Sequence, residues 1–347
     1  PIVMATSGLA GAYKTPAIHY YATAVFSNSN PMSPYRGSGR PDAGYIAERI
    51  IDIAARELGI DPAELRERNM ITSDMMPFQP ALGGPYDCGQ FPENQKIALS
   101  KADYEGFEKR REEAKSRGKL LGIGVGNNVE SATPPGQEWA KIKIDEGGNA
   151  LLYAGSTDQG QGHATMYTQI ICEKLGLSPD QVRVVEGDTE TLDAGGGAGG
   201  SKVSGLGGSA VFVTSDMIIE KGKELAADHL EAAIADIEYS NQAFTVAGTD
   251  KTVSMAELAK SAPDDGLLVV GTHKTEAPTF PSGCHVCELE VDPDTGGVEF
   301  KRYIAVTDVG NAINPNQVDG QVQGGVVQAL GQVLSENITY DAESGQL

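Results

Sequence analysis

Residues 139–163 read Trp139-Ala140-Lys141-Ile142-Lys143-Ile144-Asp145-Glu146-Gly147-Gly148-Asn149-Ala150-Leu151-Leu152-Tyr153-Ala154-Gly155-Ser156-Thr157-Asp158-Gln159-Gly160-Gln161-Gly162-His163, and the fold turns on them. Two strand-like runs flank Glu146-Gly147-Gly148-Asn149, whose composition suits a hairpin turn, so 139–154 is expected to be a strand pair. The second run passes through a Gly/Gln loop into a helix over 162–175. Downstream we expect a strand over 181–187, a glycine-dense loop over 195–208 and a helix over 209–234. After Met255 to Ser261 come an antiparallel pair over 283–306 and a helix from about Val318 to Leu334. Upstream, Leu120 to Val129 reads as a strand and the charged stretch Glu93 to Arg117 as helical. Asp61-Pro62 opens a short helix, Ala63 to Asn69. Pro41 opens another, in which Ile46, Ile50, Ile53, Ala54 and Leu58 share one face before Gly59 ends it. Pro16 to Asn28 reads as a strand running into the Asn30-Pro31-Met32-Ser33-Pro34 loop. Strands and helices mix without regular βαβ alternation, which argues for an α+β fold with a domain boundary near Gly118, giving domains 1–118 and 119–347.

The chain has 347 residues, enough for two domains, and carries 27 Lys plus Arg against 48 Asp plus Glu, a net charge of −21. That charge repels a polyphosphate backbone, so nucleic acid is excluded as a partner class. No apolar run approaches the roughly 20 residues needed to span a bilayer, which together with the lack of a signal-peptide pattern points to a cytoplasmic protein. Pro1 already stands in strand-like sequence and Leu347 follows a turn signal, so both ends are expected to be internal to a longer chain, with the true N-terminus not visible. The four cysteines are Cys88, Cys172, Cys284 and Cys287. The last two form a CxxC, but they lie in strand-like sequence with no second ligand pair, so no zinc site is expected.

Four stretches carry chemistry. The loop Gly155 to His163 joins a strand to a helix, where open backbone and helix-start amides suit an anion, and the amides of Gln159 and Gln161 suit a pterin or nucleobase edge. On spacing alone a plain structural turn accounts for it equally. The loop Gly195 to Gly208 offers many unhindered N–H groups with Ser201, Lys202 and Ser204, which fits a phosphate or dinucleotide tail; a flexible surface loop is the alternative. Tyr35-Arg36-Gly37-Ser38-Gly39-Arg40-Pro41 puts arginine before a helix start. Gly310 to Pro315, leading to Gln317, Gln321 and Gln323, is another polar loop entering a helix.

These four stretches, in this order, resemble the large subunit of the molybdenum hydroxylases, the xanthine dehydrogenase, aldehyde oxidase and carbon monoxide dehydrogenase family. The resemblance covers nearly the whole chain. It implies two molybdopterin-binding α+β domains, the first only partly present, and a subunit that hydroxylates an aldehyde or N-heterocycle with water-derived oxygen. Arg36 and Gly37 then match the active-site loop. Gln159, Gly160, Gln161, Gly162 and His163 match the pterin and phosphate segment. Gly200, Ser201, Lys202 and Ser204 lie in a stretch similar to a glycine-serine-arginine-serine-threonine loop, in which Lys202 replaces arginine and Val203 replaces serine, and Gln321 and Gln323 match the last cofactor-facing helix. The implied cofactor is molybdopterin cytosine dinucleotide with molybdenum held by the pterin and no protein ligand, while FAD and [2Fe-2S] clusters sit on partner subunits of a hetero-oligomer. The family's catalytic glutamate lies in a motif that nothing after Gln323 matches, so no catalytic residue is assigned here, and neither Glu130 nor Glu173 is promoted to that role. The chain alone is expected to show no turnover. Members that oxidise carbon monoxide carry a copper-binding cysteine after the arginine, where this chain has Gly37. Two other readings stand beside this one: a redox-free nucleotide- or phosphate-binding module, which the glycine loops alone would permit, and a non-catalytic scaffold derived from the family.

Overall fold

The computed structural model describes residues 6, 8–28, 30, 33–262 and 266–347. In chain order its main elements are α1 (Arg40–Leu58), α2 (Pro62–Asn69), α3 (Phe91–Lys101), α4 (Phe107–Ser116), β1 (Leu120–Val129), β2 (Gly136–Ile144), β3 (Ala150–Ala154), α5 (His163–Leu175) and β4 (Val182–Val185). There follow α6 (Gly208–Leu230), β5 (Ile237–Ser240), β6 (Ala243–Val246), β7 (Thr252–Ser254), α7 (Met255–Ser261), β8 (Leu267–Thr275), β9 (Ser282–Val291), β10 (Val298–Asp308) and α8 (Pro315–Leu334). The architecture is α+β. Among the described residues no helix is long and apolar enough to cross a membrane.

Two compact units share the chain: Pro1–Ser131 with Thr279–Ala312 and Val318–Leu347, and Ala132–Pro278 with Ile313–Gln317. A boundary near Gly118 divides the chain in sequence order, whereas these units interleave, because β1 pairs with β9 from far downstream. In the first unit β1, β9 and β10 form an antiparallel sheet in that order, with a bulge between Phe300 and Arg302. Helices α3 and α4 pack on it. Helices α1 and α2 start and stop where the sequence indicates: Asp61 Oδ1 accepts the amides of Ala63 (2.8 Å) and Glu64 (3.1 Å), and Gly59 closes α1 at φ 66°.

The second unit holds a four-stranded sheet in the order β4-β3-β2-β8, with β2 antiparallel to β3 and β8 and β3 parallel to β4, beside the antiparallel meander β5-β6-β7. Alternation along the hairpin buries Ala140, Ile142 and Ile144 on β2 and Ala150, Leu152 and Ala154 on β3. They join Tyr167, Ile171 and Leu175 of α5 and Val211 and Ile218 of α6 in one cluster. Each large aliphatic side chain there contributes about 1.5–3 kcal/mol through burial.

Several expectations need correction. Pro16 to Asn28 is not a strand: it has no strand partner among the described residues, and Tyr21, Val25 and Phe26 are exposed. Pro31 and Met32 of the loop beyond it lie outside the described residues. The face that Ile46 (50%), Ile50 (59%), Ile53 (43%) and Leu58 (64%) share on α1 is exposed, while Ala43 and Ala55 are buried. Glu93 to Arg117 is two helices with a 3-10 turn at Tyr104–Gly106 between them. The meander β5-β6-β7 and the strand β8 were not anticipated. Cys284 and Cys287 are free thiols on β9, the first buried and the second half-buried.

Candidate cofactor site

In the second unit, β3 ends at Ala154 and the chain turns through 155–162 into α5. The Gly155 carbonyl accepts the amides of Gly196 (3.1 Å) and Gly197 (3.2 Å). A Cβ on Gly195 would fall 2.7 Å from that carbonyl, so glycine is what lets the two loops meet. At the far end Ser204 Oγ donates to Met166 Sδ (3.2 Å), one turn into α5. The two glycine loops singled out in the sequence, 40 residues apart, therefore lie side by side. Among the described residues, buried Trp139 Nε1 has no hydrogen-bond partner and sits against Gly155.

The electrostatics differ from the sequence expectation. Asp158 Oδ1 accepts the amides of Gly160 (2.8 Å) and Gln161 (2.9 Å), and its Oδ2 accepts that of His163 (3.1 Å). Burial pushes the Asp158 carboxyl up, but these amides and the charge of His163 hold it below its ordinary value. The donors expected to receive a phosphate are thus already turned onto a carboxylate. Gln161 Oε1 in turn accepts the Gln159 amide (2.5 Å). Lys202, the cation of the second loop, is ion-paired with the nearly buried Glu138 (2.9 Å). Gly200 (φ 87°) and Ser201 (φ 53°) both take the left-handed conformation that turns this loop. Open space flanks Gly160, Gly197 and Gly199.

Beneath the loops, Ser156 Oγ lies 2.8 Å from Tyr167 Oη and donates to Glu186, whose Oε1 is also 3.1 Å from His163 Nδ1. Asp158, His163 and Glu186 present ligand atoms within 4.8 Å of one another. The bonds just given engage all three, so the cluster pins the loop to β4 and α5. Gln317, at the start of α8, donates through Nε2 to the Gly162 carbonyl (2.8 Å).

In the first unit the arginine loop stands before α1. Arg36 Nη2 donates to the Gln321 carbonyl (2.9 Å) and to Gln321 Oε1 (3.3 Å), and its guanidinium lies beside Gly324 and Gly325 on α8. Gln323 is exposed. Gly37 has φ 95°, and a Cβ there would fall 2.5 Å from Pro41 Cγ, so no side chain fits without moving the loop. Arg40 donates through Nε to the Gly37 carbonyl (3.1 Å) and through Nη1 to the Ser131 carbonyl (2.8 Å), and pairs through Nη2 with Glu130 (2.8 Å). Burial raises the Glu130 carboxyl above its ordinary value against the pull of Arg40 and Arg36.

Sequence reasoning singled out Arg36, Gln317, Gln321 and the glycine loops and set Glu130 aside as a catalytic candidate, but it gave no contact role to Arg40, Glu130, Glu138, Asp158 or Glu186. Only Asp158 had a local signal, as an aspartate two residues before a glycine that can accept the loop's own amides. The others reach their distant partners across 23 or more positions, a distance over which spacing is silent.

A family model described as a molybdopterin cofactor-binding domain matches residues 97–347, and a second of the same description matches residues 2–70. The chain is 32% identical over 98% of its length to the 6-hydroxypseudooxynicotine dehydrogenase complex subunit gamma of Paenarthrobacter nicotinovorans, of which it covers 45%. It is 32% identical over 97% of its length to the carbon monoxide dehydrogenase large chain of Afipia carboxidovorans, again covering 45%. Among solved structures, quinoline 2-oxidoreductase from Pseudomonas putida 86 superposes with a TM-score of 0.89 at 31% identity, over 99% of this chain and 47% of that one. The chain thus spans about half the length of the relatives it matches.

Proposed function

Because the chain belongs to the molybdopterin-binding family of the molybdenum hydroxylases, we propose that it forms the cofactor-binding part of an oxidoreductase that hydroxylates an aldehyde or N-heterocycle with water-derived oxygen. The cofactor, when bound, supplies the oxygen transfer and accepts the two electrons, and the protein contributes binding and orientation. The donor set of the second unit fits the pterin better than the phosphate. With Lys202 neutralised by Glu138, the loop amides turned onto Asp158, Gln161 Oε1 on the Gln159 amide and Ser204 Oγ on Met166, what remains is open glycine backbone with the side chains of Gln159 and Ser201 and the Nε2 of Gln161. Neutral donors and acceptors of this kind suit the edges of a heterocycle. In the first unit, Arg36 and Gln321 are the cofactor-facing pair by resemblance, with Gln323 on the same helix. The dinucleotide form carrying cytosine, and FAD and [2Fe-2S] clusters on partner subunits of a hetero-oligomer, complete the proposal.

One observation carries the substrate class. A soft sulfur donor after Arg36 would be needed for copper(I), and the left-handed backbone of Gly37, with Pro41 against it, leaves no room for a cysteine side chain. The enzyme is therefore read as acting on a planar organic molecule and not on carbon monoxide. The test is to purify the complete enzyme, measure molybdenum and the nucleotide released from its cofactor, and compare dye reduction by benzaldehyde, a purine and carbon monoxide. We expect molybdenum, cytosine nucleotide and turnover of an organic substrate; copper together with fast carbon monoxide oxidation would overturn the substrate class.

A further inference from the structure

We propose that Arg40, with Glu130 as its counterion, is a positioning residue that sets the loop 35–39 on which Arg36 and Gly37 stand. The inference rests on the functional reading above only in calling that loop an active-site loop; the mechanical part stands on geometry alone.

Arg40 is the first residue of α1, where a positive charge opposes the helix dipole and an acidic residue would ordinarily be favoured. Its side chain is nonetheless almost wholly buried, at 9% exposure. A buried guanidinium in that place needs acceptors, and it has three: the Gly37 carbonyl, the Ser131 carbonyl and the Glu130 carboxylate. The Gly37 carbonyl also accepts the Arg40 amide (3.1 Å), so one residue holds that carbonyl twice. Glu130 is itself anchored, because its amide donates to the Pro281 carbonyl (2.9 Å) just before β9.

The chain of contacts runs from the end of β1, through Glu130 and Arg40, to Gly37, and the next residue is Arg36. On its other side Arg36 is held by the Gln321 carbonyl. The loop is therefore gripped between a rigid sheet and α8, and the two arginines divide the work: Arg40 points inward and fixes the backbone, while Arg36 stays exposed. Lysine in place of Arg40 offers a point charge without the planar fork, and cannot reproduce three bonds in one plane.

The test uses hydrogen exchange on this chain and turnover in the complete enzyme, with Arg40→Lys, Arg40→Ala and Glu130→Gln. The Ser38 and Arg40 amides are both hydrogen-bonded within the turn, to the Tyr35 and Gly37 carbonyls, and so report on the loop. Arg40→Ala should speed their exchange about ten- to a hundredfold, the scale of a lost charge-assisted bond, while β9 amides stay protected. Arg40→Lys should fall between, and Glu130→Gln should have the smallest effect because it keeps an acceptor. In the complete enzyme, Arg40→Ala should retain molybdenum and lower kcat more than it raises KM. Unchanged exchange at Ser38 and Arg40, or loss of protection throughout the first unit, would overturn the proposal, as would an Arg40→Ala enzyme with unaltered kcat. If the wild-type enzyme holds no molybdopterin, the functional reading fails, and the exchange measurements still decide whether Arg40 holds the loop.

Discussion

In the second unit Ile142, Leu152, Tyr167, Ile171 and Ile218 all leave solvent within one continuous apolar cluster, whereas the largest fully buried side chain of the first unit is Arg66. That guanidinium reaches Glu48 (2.8 Å) and Asp52 (2.9 Å), and Tyr13 Oη donates to the same Glu48 (2.6 Å). The apolar residues of the first unit form two smaller clusters, around Tyr86 and around Val286, with charges at the seam between helix and sheet: Arg110 with Glu288 (2.7 Å) and Arg117 with Glu290 (2.5 Å). Apolar burial tolerates error in direction, but a buried ion pair does not, because removing one partner strands the other. The two units should therefore fail in different ways.

Arg66→Met should have the largest effect, about 3–5 kcal/mol, since it leaves Glu48 and Asp52 without their shared cation. The protein has one tryptophan, Trp139, on β2 of the second unit. Far-UV circular dichroism should therefore show early loss of structure while tryptophan fluorescence holds; coincident transitions would erase the contrast. Ile142→Ala should cost about 2–5 kcal/mol through lost burial and a cavity and should move the fluorescence transition instead.

Acid gives the smallest and most diagnostic difference. The Arg117 hydrogen bond holds the Glu290 carboxyl below its ordinary value, and Lys119 does the same for Asp292. A depressed carboxyl stabilises the fold fully above its unfolded value, near pH 4, and loses that contribution as pH falls through the folded value. Asp145 and Asp158 of the second unit are also depressed, but by turn amides outside the core. Below about pH 4 the seam of the first unit should loosen before tryptophan fluorescence changes. The reverse order would refute the reading that charge at the helix–sheet seam holds the first unit while apolar packing holds the core of the second, whose Lys202–Glu138 pair belongs to its loops.

Much of the fold was legible because local chemistry declared it. Gly147 and Gly148 marked the hairpin, Pro41 and Gly59 bracketed α1 to within a residue, and Asp61 capped α2 as its position suggested. What failed was whatever depended on a distant partner. Periodicity identified which residues of α1 share a face but not whether anything covers that face, and Ile46, Ile50 and Leu58 remain exposed. Residues 16–28 have the composition of a strand, yet a strand exists only against another. The strand β8 was overlooked although Leu267 and Val269 alternate inward, because the run ends in the polar His273-Lys274-Thr275. The candidate site shows the same division. Glycine density flagged both loops, but nothing near Lys202 announced Glu138, and nothing near His163 announced Glu186.

Cys284 and Cys287 stand three positions apart on β9, so the alternation of the strand sends them to opposite faces of the sheet. As a chemist would handle the protein, this makes the four thiols independent labels. Cys88 is exposed and open to an alkylating reagent from the start. Cys287 and Cys172 are partly shielded, one in each unit, and Cys284 is fully covered. Alkylation at Cys284 requires the sheet of the first unit to open, so its rate, read by mass spectrometry against Cys172 in the same molecule, measures how often that unit breathes.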